Sequence, residues 1–209
     1  MKRIISIILM VLMIVGLTAC GASPTSTTES FLNAVKSGDT DTINEVYAGG
    51  TLDIMDSVSD EGDDAEDETT DDSLDKVYDE LLVPKLLDFD YEVSNEQIDG
   101  DKATVDVKFT TYKLGDAFSA FFSEYLTQAF ALIFSDVSDE QMDALASNIL
   151  TEKLNLCEEK TYDKTVTLSL SKKDGKWVVD AIEPASDIID ALSGGLVTTM
   201  KNLDTVWGE

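Results

Sequence analysis

The 209-residue chain contains no histidine, two cysteines and three prolines, and it sets only 15 basic residues against 42 acidic ones. Each shortage removes a class of function. Without histidine, transition-metal centres lose their commonest nitrogen ligand and serine nucleophiles lose their usual base. Two cysteines allow one disulfide at most, and the scarcity of Lys and Arg argues against a nucleic-acid partner, because phosphate binding relies on clustered basic side chains. The chain also lacks an internal repeat.

The N-terminus carries a strong signal. Lys2 and Arg3 precede an apolar stretch from Ile4 to Leu17, and Leu17, Thr18, Ala19 and Cys20 close it. The stretch is shorter than the roughly 20 residues of a membrane-spanning helix and runs into a small-residue cleavage pattern. This arrangement resembles a bacterial lipoprotein signal with its lipobox. The resemblance implies a signal peptide over residues 1–19, a diacylglycerol on the Cys20 thiol, and a palmitate-type anchor in the outer leaflet of the cell membrane, on its extracytoplasmic face. Two acyl chains suffice for stable anchoring at about 0.8 kcal/mol per buried methylene, where one chain holds only marginally. Loss of Lys2 and Arg3 leaves 13 basic residues against 42 acidic ones, a formal charge of −29. Anionic membrane surfaces should repel such a body. Cys157 is then the single remaining thiol, most simply a small buried residue after Leu154 and Leu156.

Residues 20–27 read as a flexible tether, since 21–28 are small and polar. A folded unit over 28–209 follows. Ser26 and Glu29 have capping-box spacing ahead of Phe31, Leu32 and Val35, and Gly38 stops that helix. Asp39 or Thr40 can cap a second helix carrying Ile43, Val46 and Tyr47. Residues 53–73 form an acidic loop: nine of the thirteen residues from Asp60 to Asp72 are Asp or Glu, a self-repelling block unsuited to a core. Leu74, Val77, Tyr78, Leu81 and Leu82 recur at helical spacing, with Pro84 expected to end the helix. Leu87, Phe89, Tyr91 and Val93 alternate with acids, and Ala103, Val105, Val107 and Phe109 repeat the period after Asp99-Gly100. Val166, Leu168 and Leu170 lead into a second turn, Asp174-Gly175, with Trp177 and Val179 beyond it. Between these hairpins, residues 114–156 read as an inserted helical hairpin. Its first helix carries Phe118, Phe121, Phe122, Tyr125, Phe130 and Phe134, and its second opens on a capping box at Ser138 and Gln141. Pro184 suits a first helical turn ahead of Ile188, Ile189 and Leu192, and a last helix holds Leu196, Met200 and Leu203.

The expected fold class is α+β: a curved antiparallel sheet covered by N-terminal helices, with the helical hairpin inserted and C-terminal helices following. The stretch Phe31-Leu32-Asn33-Ala34-Val35-Lys36-Ser37-Gly38-Asp39 and the late strand Asp174-Gly175-Lys176-Trp177-Val178-Val179 resemble uncharacterised bacterial lipoproteins with a nuclear-transport-factor-2-like (NTF2-like) cone fold, over most of residues 28–183. That superfamily includes isomerases, cyclases and many non-enzymatic modules, so the resemblance implies an architecture and assigns no activity.

Three chemistries are weighed on the residues. An isomerase-type site needs a buried Asp as base beside a Tyr or a protonated acid; Asp88, Asp90, Asp106 and Tyr91 are the candidates, but the three acids occupy the face opposite the apolar alternation. Weak Ca²⁺ binding draws on Asp60, Glu61, Asp63, Asp64, Glu66, Asp67 and Glu68, whose spacing departs from an EF-hand loop, so a solvated acidic run is the simpler reading. The aromatic helix can line a small-molecule pocket, form core, or meet a partner, including a second copy in a homodimer. The sequence favours a lipid-anchored binding or interaction module of unknown ligand, with a small-molecule enzyme as the alternative.

Overall fold

The computed structural model describes residues 22–50, 72–132 and 137–207. Its fold is α+β, built on a curved four-stranded antiparallel sheet in the order β1-β2-β3-β4: Asp90–Asp99, Lys102–Tyr112, Lys160–Lys173 and Lys176–Val179. The alternation written in the sequence is what buries one face. Along β2, Ala103, Val105, Val107, Phe109 and Thr111 are buried while the residues between them are not. The partner strand continues the same stripe with Val166, Leu168 and Leu170. Both predicted turns form: Gly100 takes a φ of 62°, and Asp174 and Gly175 take 51° and 80°. Two successive positive φ values suit the twist of a two-residue hairpin.

Helix α1, Pro24–Ser37, lies across the buried face and fills it with Phe31, Leu32, Ala34 and Val35. It starts earlier than the Ser26/Glu29 spacing suggests. Ser23 is the cap, its side chain accepting from the Ser26 N–H, and Pro24 occupies the first turn, where its missing N–H costs nothing. Thr27 and Thr28, assigned at the sequence level to the tether or its border, are buried in the fold. Glu96 reinforces this start: its Oε2 accepts from the Thr25 N–H at 2.8 Å and from the Thr25 hydroxyl at 2.6 Å. Glu96→Ala should therefore lower stability by about 1 kcal/mol in a denaturant titration, the usual loss of an N-terminal clamp.

Helix α2, Thr40–Val46, is capped by Asp39 and hands over to Tyr47, whose ring stacks on Phe31 at 5.2 Å and whose hydroxyl accepts from the Ile182 N–H at 2.9 Å. Helix α3, Asp72–Val77, does not stop at Pro84. A π-helical turn, Tyr78–Leu82, links it to α4, Val83–Leu87, so the proline falls in a fresh first turn instead of inside a continuing ladder. Leu87, expected on β1, thus belongs to α4.

The inserted hairpin is present as α5, Leu114–Leu132, and α6, Asp139–Leu156, packed against each other. The Gln141 side chain reaches back to the Ser138 N–H at 3.1 Å, as its capping box requires. Helix α7, Asp187–Leu192, is capped by Ser186, leaving Pro184 outside it. Helix α8, Leu196–Trp207, then packs on α5. Two cores result. One joins the sheet to α1, α2 and α7; the other joins Val77, Leu82 and Leu86 to Leu114, Leu150 and Leu154 of the hairpin.

Candidate interaction surface

Helix α5 begins deep and ends shallow. Leu114, Gly115 and Ala117 are buried in its first turn, where Gly115 donates to the Gly194 carbonyl at 3.0 Å. That close approach needs glycine: a Cβ on Gly115 would stand 2.5 Å from the Gly195 carbonyl oxygen. Beyond this turn the apolar positions divide into two adjacent stripes at i, i+3, i+4 spacing. Phe118 and Phe121 lean on the second core, and Tyr125 stacks on Phe121 at 5.8 Å. Phe122, Leu126 and Phe130 form the neighbouring stripe, with Phe122 and Leu126 half-buried and Phe130 61 % exposed. Of the three roles open to the aromatic helix, full burial in a core is not the one it takes: from Phe118 to Leu132 the helix has no fully buried side chain. Phe134 lies outside the described residues.

The hairpin is held rigid on its flank. Glu124 of α5 pairs with Lys153 of α6 and also accepts from Gln128 at 3.0 Å. Lys153 sits between Glu124 and Glu152, and those bonds raise its pKa. Beside the hairpin a cleft of about 460 Å³ is lined by Lys113, Asp116, Lys153, Leu156, Cys157 and Glu159. Leu156 is 71 % exposed at its edge. Cys157 is half-buried and is a free thiol; burial pushes its pKa up, so it stays protonated and unreactive near neutral pH.

The acids of the isomerase reading face outward, and Asp88, expected on a strand, instead caps α4 ahead of β1. Asp88 accepts from Lys160 at 2.6 Å and from the Tyr112 hydroxyl at 2.8 Å, and the Lys160 bond holds its carboxyl below the ordinary Asp range. Lys160 also reaches Asp90 at 3.2 Å. Asp106 is half-buried opposite the β1 bulge between Ser94 and Gln97, bonded by Asn95 at 3.0 Å and Thr167 at 2.7 Å, which lower its pKa. Tyr91 does face inward, but its hydroxyl donates to Asn33 at 2.9 Å and burial raises its pKa. Asp88 and Asp106, held ionised by their neighbours, are poor carbon-acid bases, and Asp90 is an exposed partner of Lys160.

The sequence reading missed Asp190. It is 3 % exposed, its Oδ2 accepts from the Tyr162 hydroxyl at 3.1 Å and from Lys164 at 2.8 Å, and its Oδ1 accepts from the Thr198 N–H at 2.7 Å. Burial alone would raise its pKa; the Lys164 bond and the Thr198 N–H outweigh that and hold it below the usual carboxylate value. An inward Asp beside a Tyr is the residue pair an isomerase would use. Here both carboxylate oxygens are consumed, and the lowered pKa makes it a strut between β3 and the first turn of α8.

Cys20 and the seven acids proposed for Ca²⁺, Asp60, Glu61, Asp63, Asp64, Glu66, Asp67 and Glu68, lie outside the described residues. Among the described residues no cluster of three or more acids and cysteines is placed to hold a metal ion, and no helix is long and apolar enough to cross a membrane.

No family model matches the sequence, and no curated protein matches it. One solved structure is similar: ycdA of Bacillus subtilis subsp. subtilis strain 168, described as a candidate lipoprotein, at 16 % identity and a TM-score of 0.41. The match covers 82 % of this chain and 48 % of that one, so the chain spans about half the length of that protein.

Proposed function

We propose that the protein is a lipid-anchored, extracytoplasmic interaction module on an NTF2-like, cone-type fold, anchored through Cys20, and that the α5–α6 hairpin is its binding element. The half-covered stripe Phe122, Leu126 and Phe130 is the observation that carries the reading. Partly exposed apolar side chains aligned along one helix supply contact area at small entropic cost, which suits a macromolecular partner more than a small substrate. The buried side of the sheet supports the same choice, since Phe31, Phe89, Val105, Val107, Phe109 and Leu170 pack there at 0 % exposure.

The test is native mass spectrometry of protein extracted from its own membranes, with wild type beside a Phe122→Asp/Phe130→Asp variant. A second copy or another chain should accompany the wild type and be lost from the variant. A wild type that travels alone, or with a small molecule the variant retains, would contradict the reading. Phe130→Asp by itself should change stability by no more than about 0.5 kcal/mol, because its site is mostly solvent-exposed.

A further inference from the structure

The lipid tether leaves the fold at one defined end of the sheet. Helix α1 runs antiparallel to β1: Thr25 meets Glu96, Asn33 meets Tyr91, and Lys36 donates to the Phe89 carbonyl. Its N-terminus therefore lies at the end where β1 turns into β2. The β3–β4 turn is at that same end, since Lys102 pairs with Ser171 and the Lys172 N–H donates to the Asp101 carbonyl at 2.9 Å. The α5–α6 hairpin is inserted at the opposite end, between Tyr112 and Lys160, an eleven-residue strand away, or about 36 Å.

Charge is distributed unevenly along this axis. Lys102, Lys172, Lys173 and Lys176, four of the thirteen basic residues that follow Cys20, are exposed at the turn end. Asp99, Asp101 and Asp174 share those turns, so the tip is close to neutral on a body of formal charge −29. The apolar side chain of Ile98 stands 55 % exposed beside them. At the hairpin end Lys85, Lys113, Lys153 and Lys160 are outnumbered by acids on α5, α6 and the Glu158-Glu159 pair. Only Gly21 and Ala22 separate Cys20 from the capping residue Ser23, a reach of about 10 Å at full extension.

We infer that the turn end of the sheet, Ile98, Lys102, Lys172, Lys173 and Lys176, is a membrane-docking face that rests on an anionic bilayer surface and points the α5–α6 hairpin outward. The inference rests on the lipid anchor at Cys20. A leash of this length leaves the body little room to tumble away. Charges farther than about 8 Å from the bilayer are screened at physiological salt, so the face nearest the lipid decides the orientation. The lysine tip gains from anionic headgroups, whereas the hairpin end would bring its surplus of carboxylates against them.

The experiment is acylation of lysines by a water-soluble N-hydroxysuccinimide ester, read residue by residue by mass spectrometry. The lipid-modified protein is reconstituted in phosphatidylglycerol–phosphatidylcholine vesicles and compared with a soluble chain beginning at a Cys20→Ser residue. Flotation of the vesicles is scored separately. Expected are co-flotation, several-fold slower labelling of Lys102, Lys172, Lys173 and Lys176, and unchanged labelling of Lys113 and Lys201. Lys173→Glu/Lys176→Glu, which alters only exposed side chains, should still float yet lose the protection at Lys102 and Lys172. Protein that floats with even protection, or with Lys113 protected most, overturns the orientation and leaves the anchor standing. Protein that fails to float removes the anchor, and the docking face falls with it.

Discussion

Asp190→Ala should destabilise the protein by about 3–5 kcal/mol, the range for removing one partner of a buried ion pair. Three donors converge on this carboxylate, and alanine leaves Lys164 with only the exposed Asp187 at 2.8 Å while the Tyr162 hydroxyl and the Thr198 N–H lose their acceptor. The last loss unfastens α8 at its first turn, so exchange of the α8 amides should accelerate before global unfolding. The pH dependence is a second readout. Because the folded Asp190 pKa is lowered, its stabilisation is fully present above the ordinary Asp value of 3.8 and disappears as pH falls through the folded value. In urea titrations the gap between wild type and Asp190→Asn should be constant near neutrality and close below about pH 4. A gap that persists unchanged into acid would mean the carboxylate charge is not what holds α8.

Gly194→Ala should cost a comparable amount, about 3–5 kcal/mol, for two separable reasons. Gly194 has a φ of 62°, where a Cβ is disfavoured, and that Cβ would stand 1.8 Å from the Tyr112 carbonyl oxygen. Backbone cannot yield as a flexible side chain can, so the α7–α8 corner must move off the end of β2. Gly38 separates the two causes: its φ is 68° and no atom lies within 4 Å of its would-be Cβ. Gly38→Ala should lose only about 1 kcal/mol, the cost of the left-handed conformation itself. Equal losses at the two positions in chemical denaturation would show that the contact with Tyr112 is unimportant.

The strands were legible because period-2 burial and positive-φ turn residues are local signals: Val105, Val107 and Phe109 leave one arrangement, and Asp174-Gly175 fixes the register. The helix ends were harder. Ser26 and Glu29 imitate a capping box, yet Ser23 ahead of Pro24 offers the chain a cap one turn earlier, and Glu96, 71 residues away, rewards that choice. No local pattern announces such a partner. Pro84 ends a simple helix on sequence grounds, but a π turn re-phases the ladder and lets the helix resume. Asp190 was hidden among Ile188, Ile189 and Leu192, where an acid reads as solvated. The available clue was on β3: Tyr162 and Lys164 extend the inward stripe of Val166, Leu168 and Leu170, and a lysine in an apolar register calls for a buried acid. The aromatic helix could not be resolved between core and surface, because its periodicity is the same in both and only the fold decides how much of it is covered.

The lipid anchor at Cys20 is tested most directly by the intact mass of the protein purified from its own membranes. The prediction is a chain that begins at residue 20 and carries the added mass of a glycerol with two acyl chains. A chain that still begins at Met1, or one that begins at residue 20 with an unmodified thiol, contradicts it.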